Sequence, residues 1–275
     1  LSLFKGMWLK MAGNGKRISF DKYIDNPSGG SAFTKRGMNK EMYKKKFSAV
    51  LLREQGKIVY KVYKDKDPAD SYYIHLKIPS EVIENFYYDV VVRLFTTLSS
   101  KKSGTSLREY EVQFYSNDPA FVYTFAHSFA KNKLFIPDLE AKMSKQALRS
   151  VAKVKNPKDD VWYVKSLFFA YLTMEKYNLF NRTVLDREAK TYSKRTLINN
   201  IEHADKKVKA RQDAQAKLDA EKRKEREQVK AARNVNVSTA TSKLSRASSS
   251  VKSTKTTRTV KGTKHSRVTT MRKKS

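Results

Sequence analysis

Basic residues recur at every third position in the C-terminal segment of this chain. Six form an unbroken series and three more keep its register: Lys252, Lys255, Arg258, Lys261, Lys264 and Arg267, then Lys243, Arg246 and Lys273. A polyproline II backbone has three residues per turn at about 3.1 Å each, so this spacing would align the charges on one ridge, roughly 9 Å apart. Such a ridge can follow the phosphates of a nucleic acid without reading its bases.

We therefore predict that this segment binds nucleic acid, most naturally DNA, without sequence specificity. The predicted contact residues are the nine cations above together with Arg272 and Lys274. Residues 235–275 contain eleven Lys or Arg residues and no Asp or Glu, which favours a polyanionic partner. The alternative interpretation is a compositionally biased tail whose period is accidental or serves only solubility.

The total charge supports a polyanionic partner but is unevenly distributed. The chain has 58 Lys+Arg against 27 Asp+Glu, a formal net charge of +31. Residues 201–275 hold 22 basic and 7 acidic residues, net +15, while residues 1–200 hold 36 and 20, net +16. The last quarter thus carries about half the excess positive charge, which attracts anionic partners over long distances.

No pattern predicts catalysis with comparable strength. The string 13–17 lacks the glycine spacing and the Ser or Thr of a phosphate loop. Asp138 and Glu140 resemble part of a metal-dependent nuclease motif. However, they and the acidic pair at 159–160 are better explained as residues in the first turn of a helix, where the helix dipole stabilises carboxylates. His127 has no acidic residue three or four positions away. Because cysteine is absent, thiolate chemistry is excluded too, and we predict neither enzymatic activity nor a cofactor or metal.

Aromatic residues define the part of the chain that can build a core, since all of them lie at or before Tyr192. We predict a flexible N-terminal arm (1–40), an α+β core domain (41–187), a long charged helix (188–234) and a disordered basic Ser/Thr/Lys tail (235–275). Eighteen Ser or Thr residues and no aromatic residue in the tail leave too little apolar area to offset the entropy of ordering it.

Strand signals come first within the core domain. Runs at 47–52 and 58–63 flank a turn-like string, 54–57, and predict a hairpin. Apolar and polar residues alternate from Tyr73 to Ile78, which predicts a strand with His75 facing solvent. Further strands are expected near 88–95 and 110–114, with an exposed loop at 98–106. These segments predict an antiparallel β-meander.

Helix signals follow the strands. Asp118-Pro119 is a favourable start, with Asp as the N-cap and Pro in the first turn. Amphipathic patterns at 138–153 and 159–179 predict two more helices that pack on the sheet. Residues 188–233 lack Gly and Pro and predict one long helix. Its apolar residues fit part of a heptad seam, so a coiled coil and a solvated helix both remain open: Leu197, Ile201, Ala204, Val208 and Leu218.

Several tyrosines in the β region are interleaved with lysines: Tyr72, Tyr73, Tyr87, Tyr88 and Tyr115. Exposed tyrosines beside cations would suit stacking against single-stranded nucleic acid. The favoured interpretation is that they belong to a half-buried sheet, where tyrosine is common.

Residues 72–180 resemble virion structural proteins of virulent tailed bacteriophages of Gram-positive hosts. The similarity lies in strings at 78–80, 88–91, 114–121 and 161–165. The resemblance implies a non-enzymatic head, neck or tail component present in many copies, located in the virion and, during assembly, in the host cytoplasm. It implies no functional residue.

We therefore expect a structural assembly protein with a tail that contacts DNA, other virion proteins as partners, and self-association into a homo-oligomer. The alternative is an RNA- or ribosome-associated binding protein, for which basic extensions are equally natural. We expect no membrane partner, because the longest strongly apolar stretch, 167–172, is far shorter than the roughly 20 residues that span a bilayer.

Overall fold

The computed structural model describes residues 18–25, 40–65, 71–96, 106–153, 155–161 and 163–248, with the backbone alone for 233–248. The helices are α1 (Phe20–Asp25), α2 (Lys40–Arg53), α3 (Ala126–Lys131), α4 (Lys145–Arg149), α5 (Lys165–Lys176), α6 (Arg182–Glu188), α7 (Lys194–Asn199) and α8 (Ala204–Ser248). The strands are β1 (Tyr60–Asp65), β2 (Ser71–Pro79), β3 (Tyr87–Phe95), β4 (Glu111–Ser116) and β5 (Lys190–Thr191). A π-helical turn (Phe121–Phe125) leads into α3, and a 3-10 helix (Pro137–Lys142) precedes α4.

The five strands form one sheet in the order β4-β3-β2-β1-β5. Strands β1 to β4 are antiparallel neighbours, as the predicted meander requires, and β5 adds two residues parallel to β1. The α+β class with a mostly antiparallel sheet is therefore confirmed. The predicted loop at 98–106 lies almost entirely outside the described residues.

One face of the sheet is apolar and packs against α5. Val62, Ile74, Val92 and Phe114 follow one another across the four long strands on this face, and all four are buried. Burying each such side chain contributes roughly 1.5–3 kcal/mol. This face therefore forms the centre of the core.

The segment assigned to a flexible arm contributes to that core. Phe20 and Tyr23 of α1 are fully buried, and their rings lie 4.9 and 4.8 Å from the ring of Phe114. The sequence signal was weak because the helix has only six residues and lies between Gly- and Ser-containing stretches. The other residues of the arm, apart from 18, 19 and 40, lie outside the described residues.

The predicted strand at 47–52 is wrong, because this segment belongs to α2. The string 54–57 is the end of this helix and not a hairpin turn. Gln55 and Gly56 have φ angles of 52° and 76°, and the amides of Gly56 and Gln55 donate to the carbonyls of Leu51 and Leu52. These bonds form a Schellman motif in which Gln55 takes the left-handed position, and Gly56 follows it with a second positive φ that glycine adopts without strain.

The second face of the sheet carries polar residues and is also covered. His75 was predicted to face solvent, but its side chain is only 3% exposed. The alternation itself was read correctly, since Tyr73, His75 and Lys77 lie on the face opposite to Ile74 and Leu76. The predicted exposure of His75 was wrong because residues 190–202 pass over this face of the sheet and cover it.

The single helix predicted for 188–234 is broken before α8. The chain passes through β5 and α7 before α8 begins at Ala204. Ser193 caps α7 by accepting from the amide of Thr196 at 3.4 Å, and Leu197 and Ile201 are buried in the core. Tertiary packing therefore overrides the high helix propensity of this segment.

The other helices agree only in part with the predictions. Asp118 does begin a helix, since its Oδ1 accepts from the amide of Ala120 at 3.1 Å. The segment 138–153 forms a 3-10 helix and the five-residue α4 instead of one helix. In the segment 159–179 the helix begins at Lys165; Asp159 lies outside it, with a φ of 52° that a helix does not allow.

The chain divides into two compact units, Leu1–Leu218 and Asp219–Ser275. We call the first the folded unit. In the second, every side chain of α8 that the structure describes, from 219 to 232, is exposed.

Candidate functional site

The predicted nucleic-acid-binding residues are not gathered into a described site. Lys243 and Arg246 belong to α8, where only the backbone is described. The helix continues to Ser248 and so includes the first residues that were assigned to a disordered tail. The other nine residues lie outside the described part of the chain: Lys252, Lys255, Arg258, Lys261, Lys264, Arg267, Arg272, Lys273 and Lys274. Their binding of nucleic acid stays a prediction.

The partial heptad seam has a different explanation within the folded unit. Leu197, Ile201, Ala204 and Val208 are at most 3% exposed. They are the residues by which α7 and the first turns of α8 pack onto the chain's own core. Leu218 is the first residue of the seam that is not fully buried. The pattern that suggested a coiled coil is therefore largely accounted for by packing within one chain.

Four of the five tyrosines named for the β region are buried and not available to stack on a nucleic acid. Tyr72, Tyr73 and Tyr115 are at most 1% exposed and Tyr88 is 7% exposed. Tyr73 instead stacks on Tyr192 with ring centroids 4.2 Å apart and planes 9° apart. The interpretation as residues of a buried sheet is confirmed for these four.

A polar cluster around Asp89 lies at the centre of the second face of the sheet. Asp89 Oδ1 accepts from His75 Nε2 at 2.8 Å and from Lys77 Nζ at 2.5 Å. Its Oδ2 accepts from Asn117 Nδ2 at 2.9 Å and from the backbone amide of Glu202 at 3.1 Å. Asp89 is fully buried, so these four donors replace its hydration.

The donors around Asp89 determine its ionisation. Burial alone would raise the pKa of this carboxyl, but hydrogen bonds and charge from His75 and Lys77 lower it to about 2. All four contacts are made by groups of the chain itself, and the bond to Glu202 lies two residues before α8. We interpret the cluster as the anchor that fixes the start of α8 to the sheet and not as a reactive centre.

Asp138, which echoed a nuclease motif, has a similar structural role. Its Oδ2 accepts from the hydroxyls of Tyr192 at 2.7 Å and Tyr73 at 3.2 Å, and its Oδ1 pairs with Lys194 at 3.1 Å. Burial opposes ionisation, but these partners, Tyr192 first, lower the pKa of Asp138. Glu140 is exposed. The two carboxylates thus do not face a common ion.

The structure does give His127 an acidic partner, which sequence reasoning missed. Asp159 Oδ1 lies 2.8 Å from His127 Nδ1, and its Oδ2 lies 3.0 Å from Lys131 Nζ. The partner is 32 residues away in sequence, so no local spacing could have indicated it. The contact joins α3 to the loop before α5.

An open cleft lies between four elements of the folded unit. It encloses about 450 Å³ beside the β2–β3 turn, the helix start after Asp118, the first turn of α5 and the third turn of α8. Its basic side chains are Lys155, Lys165 and Arg211, and its acidic side chains are Glu81 and Asp118. This cleft has a volume typical of small-ligand sites.

Two general properties limit what the described residues can do. No three His, Asp or Glu side chains among them gather in a way that could hold a metal ion. No helix within the described ranges is both long and apolar enough to cross a bilayer.

The chain was also compared with known proteins, and no family model, curated protein or solved structure matches it.

Proposed function

We propose that this chain is a non-enzymatic assembly protein whose folded unit makes protein contacts and whose basic C-terminal segment binds nucleic acid without sequence specificity. Following the resemblance, we place it in a tailed-phage particle with DNA as the nucleic acid. The observation that carries the proposal is the different use of basic residues in the two parts of the chain.

In the folded unit, several basic side chains pair with carboxylates. The pairs join elements that are distant in sequence: Lys64 with Asp186, Lys77 with Asp89, Arg108 with Asp21 and Glu175, Lys131 with Asp159, Lys46 and Lys165 with Glu81, and Lys194 with Asp138. These cations already have anionic partners within the chain. Their positive charge is therefore largely neutralised locally.

The last 41 residues offer no such partner. Residues 235–275 carry eleven cations and no acidic residue. Any anionic partner of these cations therefore has to come from outside this segment. Six phosphate contacts by the period-three series would give a log–log salt slope of about −5 and a loss of roughly 10³ in affinity between 50 and 200 mM salt.

Helix α8 suits the role of a spacer before the period-three series that begins at Lys252. Its residues 219–232 include four acidic and five basic side chains, and all are exposed, as in a solvated helix. At 1.5 Å per residue, the part from 219 to Ser248 is about 45 Å long. A helix of mixed charge contributes little net attraction to phosphates, so affinity should depend on the cations that follow it.

The proposal is tested by replacing the six cations of the unbroken series, from Lys252 to Arg267, with Gln. In gel shifts with duplex DNA across salt concentrations, we expect the slope to fall by about 5 and the affinity at 50 mM salt to fall by at least ~10³. The matched control removes six cations of α8: Lys217, Lys222, Arg223, Lys224, Arg226 and Lys230. Equal losses in both variants would contradict a specific role of the tail.

Two further measurements test whether the chain prefers DNA to RNA and whether it belongs to a phage particle. Structured RNA should compete no better than duplex DNA, and clear preference for RNA would favour the RNA- or ribosome-associated alternative. Mass spectrometry of purified phage particles should detect the chain in multiple copies. Its absence from particles would contradict the assembly role.

A further inference from the structure

The cleft in the folded unit is lined by three basic side chains, one of which is Arg211. Arg211 lies on the third turn of α8 and lines the cleft beside Tyr88 and Gln212. Its Nε is buried and has no hydrogen-bond partner among the described residues. A buried guanidinium nitrogen without a partner loses its hydration with no compensation. The guanidinium also interacts with the Tyr88 hydroxyl. Because the residue as a whole is only partly buried, an anionic ligand in the cleft can pair with its charge.

The other charged groups of the cleft leave an excess of positive charge. Glu81 is shared by two cations, since its Oε1 lies 2.6 Å from Lys46 and its Oε2 lies 2.8 Å from Lys165. These cations hold the pKa of Glu81 below its usual value although burial opposes this. Asp118 Oδ1 is used to cap the following helix. With Lys155 and Arg211 also present, the lining cations outnumber the carboxylates.

The rim of the cleft adds apolar surface of the kind that contacts a base or sugar. Tyr123 is 51% exposed and Val82 is 52% exposed, and both line the cleft. Exposed aromatic side chains are the usual stacking partners of nucleic-acid bases, because every base has a π-face. Arginine recognises phosphate through its planar set of donors. The two features together match a phosphate that carries an aromatic base.

We propose that this cleft binds the phosphate of a nucleotide, with Arg211 as the principal phosphate ligand and Tyr123 in contact with the base. The shared chemistry is a terminal phosphate on a nucleoside, supplied either by a free mononucleotide or by the 5′ end of a strand. The site belongs to the folded unit and is separate from the basic tail. It therefore goes beyond the non-specific binding proposed above.

The proposal is tested on the full-length chain by calorimetric titration with AMP. Arg211→Gln should weaken AMP binding by about 10–100-fold, the range expected when a hydrogen bond to a charged group is removed. The matched control is Arg223→Gln, which removes the same charge from an exposed position of the same helix and should change the affinity less than about 2-fold. Equal weakening by both substitutions would show diffuse charge attraction and would overturn the site.

Two further variants keep the result interpretable. Tyr123→Leu changes a half-exposed side chain, so the fold should be retained even if Arg211→Gln disturbs it. We expect it to weaken AMP by about 5–100-fold and to leave inorganic phosphate binding unchanged. No effect on AMP, or an equal effect on phosphate, would contradict the base contact. Adenosine, which lacks the phosphate, should not bind measurably, and tight adenosine binding would overturn the phosphate assignment.

Short single-stranded oligonucleotides distinguish a free nucleotide from the 5′ end of a strand as the ligand of the cleft. If strand ends occupy the cleft, Arg211→Gln will weaken a 5′-phosphorylated oligonucleotide more than its 5′-hydroxyl counterpart; equal effects together with AMP binding support a free nucleotide. The chain with six tail cations replaced by Gln should lose duplex DNA binding but retain AMP binding. Loss of AMP binding in that variant would overturn the cleft, whereas retention of DNA binding would overturn only the tail.

Discussion

The cluster around Asp89 allows a quantitative test of how α8 is anchored to the sheet. The substitution Asp89→Asn keeps the size of the side chain but removes its charge and one acceptor. Four donors converge on this carboxylate, from His75, Lys77, Asn117 and the backbone of Glu202. In the variant, the side-chain amide keeps only one acceptor oxygen. Its NH₂ group therefore has to face one pair of these donors.

The magnitude follows from the pKa shift and its sign. Ionisation of Asp89 is easier in the folded chain, where its pKa is lowered from 3.8 to about 2, so the free energy of unfolding gains roughly 2–3 kcal/mol from this group at neutral pH. Because the folded pKa is depressed, this contribution is fully present above about pH 4 and is lost as the pH falls toward about 2. Breaking a buried pair costs about 3–5 kcal/mol, which we expect for Asp89→Asn at pH 7.

The assay is urea unfolding of the original chain and of the Asp89→Asn variant at several pH values, from 7 down to the lowest pH at which the chains still fold. The difference in unfolding free energy should be largest at neutral pH and should narrow by roughly 2–3 kcal/mol as the carboxyl of the native chain becomes protonated. Asp213→Asn, an exposed change on α8, should shift stability by less than about 0.5 kcal/mol. A difference that stays constant with pH would refute the role of ionisation, and unchanged hydrogen exchange at Glu202 would refute the anchor.

Three other predictions follow from the fold. Gly56→Ala should destabilise the chain by about 1 kcal/mol in urea unfolding, because φ is 76° there; an unchanged midpoint would contradict the Schellman ending of α2. Phe20→Ala should lower the unfolding free energy by about 3–5 kcal/mol, whereas Leu52→Ala, 82% exposed, should lie within about 0.5 kcal/mol of the original chain; similar effects would mean that α1 is not in the core. Tyr192→Phe should cost about 1 kcal/mol by removing the bond to Asp138 while keeping the ring stack, and no loss in thermal unfolding would argue against that bond.

The parts of the fold that the sequence predicts well depend on local period. Strands β2, β3 and β4 were found because alternating or continuous apolar residues are flanked by polar turns. The helix start at Asp118 was found because capping is a local interaction. The run 47–52 was misassigned because a short apolar run suits a buried helix face as well as a strand. Only Phe47 and Val50 are buried in α2, a spacing of three that the flanking turn signal obscured.

The candidate sites depend on long-range contacts that have no local signal. Asp89 is 14 residues from His75, 28 from Asn117 and 113 from Glu202. The cleft around Arg211 likewise joins the β2–β3 turn to α8. In the sequence, Arg211 lies in the partial heptad seam between Val208 and Leu218 and interrupts it. Its position there is explained if α8 continues past the core and uses this turn to close one side of a cleft.

The burial of the heptad seam also changes the argument about self-association. A coiled coil needs apolar residues that are free to meet a second helix. Leu197, Ile201, Ala204 and Val208 are already buried in their own chain, and beyond them the described part of α8 offers Leu218 and Val229 as its large aliphatic side chains. Two such residues eleven positions apart bury too little apolar area to hold helices together in water. If this chain forms a homo-oligomer, we therefore expect its interface to lie outside residues 209–232.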